Sequence, residues 1–254
     1  MIYGLYQSAA GVMTNAYRQD VISNNLANVE TSGFKRDVTT FRQRLTAAQS
    51  NPMDSDQTNK LLEQMGGGMF SQPTLVDSSQ GDLESSGNDL DAALVGKGYF
   101  TVAGANGKVE LTRAGRFQID KTGKLTLNTA AANPVLDAGG QPIVLDPTQP
   151  VHISKDGTIS QIGRQKQRLG LLDVADPSKL KKEGGSLFTF DTASGTKAAT
   201  ATVEQDSLER ANVDPATELT QLMETQRMLE ANANMIHYQD QTLDTLINSA
   251  GKIT

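Results

Sequence analysis

Apolar residues recur with helical spacing at the start of the chain. Five of them follow one another at intervals of three and four, namely Ile2, Leu5, Ala9, Val12 and Ala16. This spacing places them on one face of an α-helix. The first proline is Pro52, so no proline interrupts the pattern. We predict a helix over residues 2–29, ending before Gly33, which can adopt the left-handed conformation of a helix cap.

The end of the chain carries a longer stripe with the same spacing. Its nine positions are Leu219, Leu222, Gln226, Leu229, Ala233, Ile236, Asp240, Leu243 and Ile247. Such a repeat is typical of a coiled-coil seam. Asp214 can cap this helix, Pro215 fits its first position, and Gly251 marks its end. The polar Gln226 and Asp240 have two explanations, a solvated part of the stripe or a contact that fixes register against a partner helix.

Short segments between the two helices predict antiparallel β-structure. Three pairs flank glycine-containing turns, at 99–102 with 108–111, 117–119 with 124–127, and 152–154 with 158–160. Further short strands are predicted at 169–174 and 187–190. By contrast, residues 43–79 have no clear period and resemble an extended connector, with a short helix predicted at 59–65.

These patterns together predict an α+β fold. Long N- and C-terminal helices pair as a coiled coil, and an antiparallel β-rich domain is inserted between them. The predicted terminal helical assembly domain is discontinuous and comprises residues 1–33 and 212–254. The connector covers residues 34–85, and the β-rich middle domain covers residues 86–211. Two helices alone cannot fully bury seams of this length, so we expect other copies of the chain to cover them.

Composition excludes several classes of protein and function. The chain has 254 residues, a net charge of −6 and only 5% aromatic residues. It lacks cysteine, which excludes disulfide scaffolds, cysteine-ligated metals and thiol nucleophiles. The acidic balance argues against nucleic-acid binding, and no apolar run is long enough for membrane insertion. The N-terminus lacks the features of a secretory signal, so we expect any export to use another route.

Candidate catalytic and metal-binding groups are few. His152 and His237 stand apart from any nucleophile or metal-ligand spacing, and neither a cofactor nor a metal site is predicted. Carboxylates occur close together at Asp82, Glu84, Asp89 and Asp91, which leaves a carbohydrate hydrolase as one alternative. Solvated loop acids are the favoured interpretation, and we expect no enzymatic activity.

Motifs at both ends and in the middle resemble one protein family. The N-terminal motif covers residues 22–29 and 31–36, the middle motifs cover 80–83, 90–100 and 112–117, and the C-terminal motif lies between 212 and 240. In this order they resemble the bacterial flagellar basal-body rod proteins, which belong to the rod and hook axial proteins, and in particular the distal and proximal rod types. The residues that carry the resemblance include Asn24, Asn25, Leu26, Ala27, Asn28, Gly33, Phe34, Asn212, Val213, Gln226, Arg227, Glu230 and Asn232.

The resemblance implies a structural function. The chain would be a subunit of the flagellar basal-body rod that self-assembles through its terminal helices into a hollow helical axial tube. This tube transmits torque and conducts exported subunits. The implied partners are further copies of the chain, neighbouring rod and hook axial proteins, and the flagellar type III export apparatus. The implied location is the rod, in the periplasmic space, reached without a cleaved signal peptide.

The resemblance and the apolar stripes together predict an assembly seam. It comprises Leu5, Ala9, Val12, Leu219, Leu222, Leu229, Ile236 and Leu243. The bend that leaves the inner helical layer is predicted at Asn24, Asn25, Asn28, Gly33 and Phe34. The remaining alternatives are a coiled-coil adaptor or a hook-type axial protein, either with a ligand-binding β domain.

Overall fold

The chain folds into two compact units. The computed structural model describes residues 2–45, 68–104, 107–163, 165–184, 186–190 and 195–250. One unit, here called the helical unit, comprises the described parts of 1–26, 37–75 and 215–254. The other, the β unit, comprises those of 27–36 and 76–214. Two α-helices and many antiparallel strands within these residues confirm the predicted α+β class.

Both predicted helices are present. Helix α1 covers Ile2–Ala27 and helix α2 covers Pro215–Ala250. Gly33 has a φ of +69°, which confirms the left-handed glycine expected after α1. Pro215 is the first residue of α2, where its missing N–H leaves no helical hydrogen bond unmade. The predicted end at Gly251 lies outside the described residues.

A strand pair lies in segment 34–85, for which the sequence predicted an extended connector, and a third strand, Leu83–Ser85, lies at its end. Strand β1 covers Asp37–Gln43 and pairs with β2, which covers Met69–Val76. The Thr40 hydroxyl donates to the Pro73 carbonyl at 2.9 Å, and the Arg44 amide donates to the Gly68 carbonyl at 2.9 Å. The partners therefore advance in opposite directions, as in an antiparallel pair. The short helix predicted at 59–65 lies outside the described residues.

The β unit is built from several small sheets. Its strands are β3 Leu83–Ser85, β4 Ala92–Val95, β5 Tyr99–Ala103, β6 Val109–Thr112, β7 Phe117–Ile119, β8 Leu125–Leu127, β9 His152–Ile153, β10 Thr158–Ser160, β11 Gln167–Arg168, β12 Leu171–Val174, β13 Lys181–Gly184, β14 Leu187–Thr189, β15 Thr196–Ala198, β16 Thr202–Gln205 and β17 Ser207–Glu209. A short 3₁₀ turn, Pro177–Lys179, precedes β13. The largest sheet has the order β13-β14-β6-β5-β12-β15, and a three-stranded sheet has the order β11-β10-β9. The pairs β16-β4, β17-β3 and β7-β8 complete the unit.

The three predicted hairpins are confirmed. Strand β5 pairs with β6, β7 with β8, and β9 with β10, in each case antiparallel. Alternation along β5 separates two clusters of buried side chains, because successive residues of a strand point to opposite faces. Phe100 and Val102 belong to the larger cluster, whereas Tyr99 belongs to a smaller one. Both clusters lie in the β unit.

Removal of one core aromatic tests whether this packing stabilises the β unit. Phe100 is fully buried, and its ring meets Phe117 edge to face at 5.2 Å between centroids. Phe100→Ala should lower the free energy of unfolding by about 3–5 kcal/mol, since it loses apolar burial and leaves a cavity. Urea unfolding followed by circular dichroism measures this. Ile162→Ala is the control, because its side chain is 79% exposed, and an equal loss there would contradict the assignment.

Candidate functional site

The two helices approach each other at two glycines. A side-chain carbon added to Gly4 would lie 2.7 Å from Gln239 Nε2, and one added to Gly11 would lie 2.7 Å from Asn232 Nδ2. The contacts advance by seven residues along α1 while they retreat by seven along α2. The helices are therefore antiparallel at this contact, with a step of one heptad. Small residues on α1 allow the amide side chains of α2 to come this close.

The predicted seam residues occupy partly covered positions. Leu222, Leu229, Ile236 and Leu243 of α2 are half-buried, as are Leu5, Ala9 and Val12 of α1, whereas Leu219 is 47% exposed. The α1 stripe lies about a third of a turn from the glycines that contact α2. Gln226 and Asp240 are exposed, so the polar residues against α1 are instead Asn232 and Gln239. Sequence reasoning missed that contact, because it followed only the apolar spacing.

The helical unit leaves many large apolar side chains exposed. They are Tyr6, Met13, Leu45, Met69, Phe70, Leu75, Leu219, Met223, Met228, Met235, Tyr238, Leu246 and Ile247. Among the described residues of this unit, only Ile22 is a buried apolar side chain. A surface this rich in apolar side chains is typical of a site that contacts another molecule.

The Asn25 side chain, near the end of α1, forms two hydrogen bonds with the first residue of β1. Its Nδ2 donates to the Asp37 carbonyl at 3.0 Å, and its Oδ1 accepts from the Asp37 amide at 2.9 Å. The side chain is almost fully buried. A side-chain amide can satisfy both backbone groups of one residue, which explains asparagine at this position despite its poor helix propensity.

A buried carboxylate joins distant segments of the β unit. Glu209 Oε1 accepts from Lys35 Nζ and, at 3.0 Å, from the Gly81 amide, while Oε2 accepts from Arg113 Nη1 at 3.0 Å. Lys35 also donates to the Ser79 carbonyl at 2.6 Å. Lys35 and Glu209 are fully buried, and Arg113 is nearly so. Every oxygen of the carboxylate therefore has at least one donor, as a buried charge requires.

In this cluster, two cations, Lys35 and Arg113, surround one anion, Glu209, and these charges together with burial shift the pKa values of neighbouring groups. Burial is the main reason that the pKa of Lys35 lies below its usual 10.5, and the Glu209 carboxylate opposes that shift. Arg113 also lies over the Tyr99 ring, 5.2 Å from its centroid. Burial raises the pKa of the Tyr99 phenol, and the Arg113 cation partly offsets this. Sequence reasoning missed the cluster, because Lys35 and Arg113 appeared only within separate family motifs and Glu209 lies outside them.

Other motif residues surround this cluster. The Gly33 amide donates to the Glu209 carbonyl at 2.8 Å, and a side-chain carbon on Gly33 would lie 2.3 Å from the Ala114 nitrogen. Asn212 Oδ1 accepts from the Arg36 amide at 2.7 Å. Glycine is therefore required at position 33, both because the backbone has a positive φ and because a side chain would have no space.

The remaining motif residues range from buried to exposed. Phe34 and Val213 are buried, and Asn28 Oδ1 accepts from the Thr31 hydroxyl at 3.2 Å within the turn after α1. Leu26 is half-buried. Asn24, Ala27, Gln226, Arg227 and Glu230 are exposed.

The candidate acids of the sequence have structural contacts. Glu84 lies 3.7 Å from Arg210 in an exposed ion pair, and the buried Asp91 accepts from the Asn88 amide group at 3.2 Å. Asp82 and Asp89 are exposed. Within the described ranges, no group of three or more histidine or acidic side chains could hold a metal ion. No helix among those residues is long and apolar enough to cross a membrane.

A cleft of about 600 Å³ opens on the β unit. Lys155, Arg168 and Lys197 line it together with Asp137 and Asp156, above apolar side chains. Both carboxylates accept hydrogen bonds from backbone amides of their own loops. These acids therefore stabilise loops, and the lining does not bring together the four acids of the hydrolase alternative.

Comparison with known proteins matches three segments of the chain. Residues 5–35 match the flagella basal body rod protein family, residues 93–161 match the flagellar hook protein FlgE/F/G D1 domain, and residues 204–249 match the flagellar basal body rod FlgEFG protein C-terminal family. Each segment supplies one charged member of the buried cluster, namely Lys35, Arg113 and Glu209 respectively.

Full-length relatives share about a third of their residues with the chain. The flagellar basal-body rod protein FlgF of Caulobacter vibrioides is 34% identical, with 98% of each chain covered. FlgG of Buchnera aphidicola subsp. Schizaphis graminum is 33% identical, covering 97% of this chain and 99% of the relative. FlgG of Bacillus subtilis is 31% identical over 98% and 99% of the respective chains.

The contact of Asn25 with β1 can be tested against an exposed helical asparagine. Asn25→Ala should destabilise the helical unit by about 1–3 kcal/mol, because two backbone groups of Asp37 lose their partner. Asn234→Ala is the control, since Asn234 is exposed on α2 and alanine favours the helix. Hydrogen exchange at the Asp37 amide measures the effect. Equal protection in both variants would contradict the role of Asn25.

The buried carboxylate can be tested against an exposed one. Glu209→Gln should lower the free energy of unfolding of the β unit by about 3–5 kcal/mol, because two cations then remain buried without their anion. Urea unfolding measures this loss. Glu84→Gln is the control, because its partner Arg210 is solvated. This variant should lower the free energy of unfolding by less than about 1 kcal/mol. Similar losses in both variants would show that burial of the cluster is unimportant.

Proposed function

We propose that this chain, which belongs to the flagellar basal-body rod protein family, self-assembles through its helical unit into a hollow helical axial tube. It is a structural subunit of the rod, located in the flagellar basal body, and the family is structural rather than enzymatic. Pairing of α1 with α2 as a coiled coil belongs to the proposal. The antiparallel glycine contacts, one heptad apart, support it.

The observation that carries the proposal is the incomplete burial of the helical unit. Leu222, Leu229, Ile236 and Leu243 recur every seven residues on α2, yet each is only half-buried. Full burial of such a side chain contributes about 1.5–3 kcal/mol relative to exposure. Neighbouring copies that cover the remaining surface would therefore gain a large apolar interface. The predicted seam, including Leu5, Ala9 and Val12, is part of this proposal.

An open array requires that the contacting surfaces differ. A heterologous contact that does not close into a ring propagates as a helix of subunits. Apolar side chains are exposed on α1, on α2 and on the β1–β2 pair, so one unit offers several distinct faces. This diversity favours a helical tube over a closed dimer, which would be expected of a coiled-coil adaptor.

Further features of the proposal follow from the family. Neighbouring rod and hook axial proteins would contact the ends of the array, and the flagellar type III export apparatus would deliver the subunits. The array would lie in the periplasmic space, conduct exported subunits through its channel and transmit torque. The β unit, which holds both apolar clusters, would form the outer layer of the tube.

Two seam substitutions test the proposal. Leu229→Asp combined with Ile236→Asp should abolish assembly, because a carboxylate in a closely packed apolar interface is strongly destabilising. Purified full-length protein is concentrated, and tubes are sought by electron microscopy and sedimentation. In a strain that lacks the wild-type protein, the same variant should abolish motility.

The control adds the same two charges elsewhere. Ala131→Asp combined with Gln165→Asp changes exposed positions of the β unit and should assemble as wild type does. Circular dichroism should show that the β unit remains folded in both variants. Normal tubes and motility in the seam variant would refute the seam, whereas closed dimers of the wild type would favour the adaptor.

A further inference from the structure

One side of α2 is acidic. The helix carries five carboxylates, Glu218, Glu224, Glu230, Asp240 and Asp244, against a single cation, Arg227. Glu230, Asp240 and Asp244 are exposed. At 3.6 residues per turn they fall within about a quarter of a turn of each other. We call this surface the acidic face, and the exposed Leu219 and Ile247 border it.

A basic surface lies on the β1–β2 pair of the same unit. The Arg44 guanidinium lies 5.8 Å from the centroid of the Phe70 ring. Arg42, two residues before Arg44 along the extended chain, is exposed and lies on the same side of the strand, because side chains alternate. We call these residues the arginine–aromatic face. Stacking on a ring restricts an arginine, so less freedom is lost when its guanidinium binds a carboxylate.

Neither face is neutralised by the part of the chain that the structure describes. Over the described ranges, no carboxylate lies within ion-pair distance of Arg42 or Arg44, and no cation lies that close to Asp240 or Asp244. Phe70 is 56% exposed and Ile247 is 67% exposed. Each face therefore combines uncompensated charge of one sign with uncovered apolar surface, which is the composition of one half of a complementary interface.

We propose that the acidic face of one copy docks on the arginine–aromatic face of a second copy. This inference rests on the proposed self-assembly and names the two surfaces that meet. A second copy is the occupant because the charges are opposite and every copy carries both faces. One contact leaves a free face of each kind, so the same contact can repeat without closing. Attraction between opposite charges also selects this pairing over two like faces.

Charge reversal with mixing tests the proposal. One full-length variant carries Arg42→Glu and Arg44→Glu, and the other carries Asp240→Arg and Asp244→Arg. Each alone should assemble only at a protein concentration at least about tenfold above that of wild type, because like charges then face each other. An equimolar mixture should recover wild-type assembly, since each reversed face meets an opposite one on the other variant. Sedimentation and electron microscopy measure both results.

A matched control and the distinct outcomes complete the test. Lys97→Glu combined with Lys166→Glu reverses two exposed charges of the β unit and should assemble normally. If wild type assembles and the charge variants do too, or if their mixture stays unassembled, the paired faces are wrong while self-assembly stands. If wild type itself forms no polymer, the proposed function fails. Recovery in the mixture also shows that both variants are folded.

Discussion

The β unit depends on a single buried carboxylate. Glu209 lies at the end of β17, and its oxygens accept from Lys35, Arg113 and the Gly81 amide. Desolvated charges are tolerated only when nearly every hydrogen-bonding position is filled. The carboxylate and its three donors must therefore occupy one specific arrangement in the folded unit. The cluster therefore specifies the position of the segment after α1 against the segment before α2. The contacts of Gly33 and Asn212 follow from that arrangement.

Burial is distributed unequally between the two units. Both apolar clusters lie in the β unit, where aromatic and aliphatic side chains alternate across short strands. In the helical unit, small and polar residues such as Gly11 and Asn232 form the contact between the helices, while larger apolar residues remain uncovered. The scarcity of aromatic residues in the sequence therefore does not weaken the β core. It reflects a helical unit in which most large apolar side chains are exposed rather than packed in a core of their own.

Local periodicity predicted α1, α2 and the three hairpins, because a helix or hairpin is encoded by neighbours in sequence. The β1–β2 pair was missed, since its strands are distant in sequence and β2 contains a proline. The partners of Glu209 were missed for the same reason: Lys35 lies 174 residues away, and no local pattern links them. Function was predicted from the family motifs rather than from composition, which only excluded other classes. Of those motif residues, Asn25, Gly33 and Asn212 make hydrogen bonds that hold separate segments of the fold together.

Methionine supplies much of the uncovered surface. Met13, Met69, Met223, Met228 and Met235 are the methionines within the described residues, and all five are exposed. The flexible, polarisable thioether adapts to irregular neighbours, which suits a surface that contacts more than one kind of neighbour. It is also the side chain most easily converted by oxidants into a polar sulfoxide. A free subunit is therefore open to chemical damage at this surface. In the proposed assembly, neighbouring copies that cover these sulfur atoms would also protect them from oxidation.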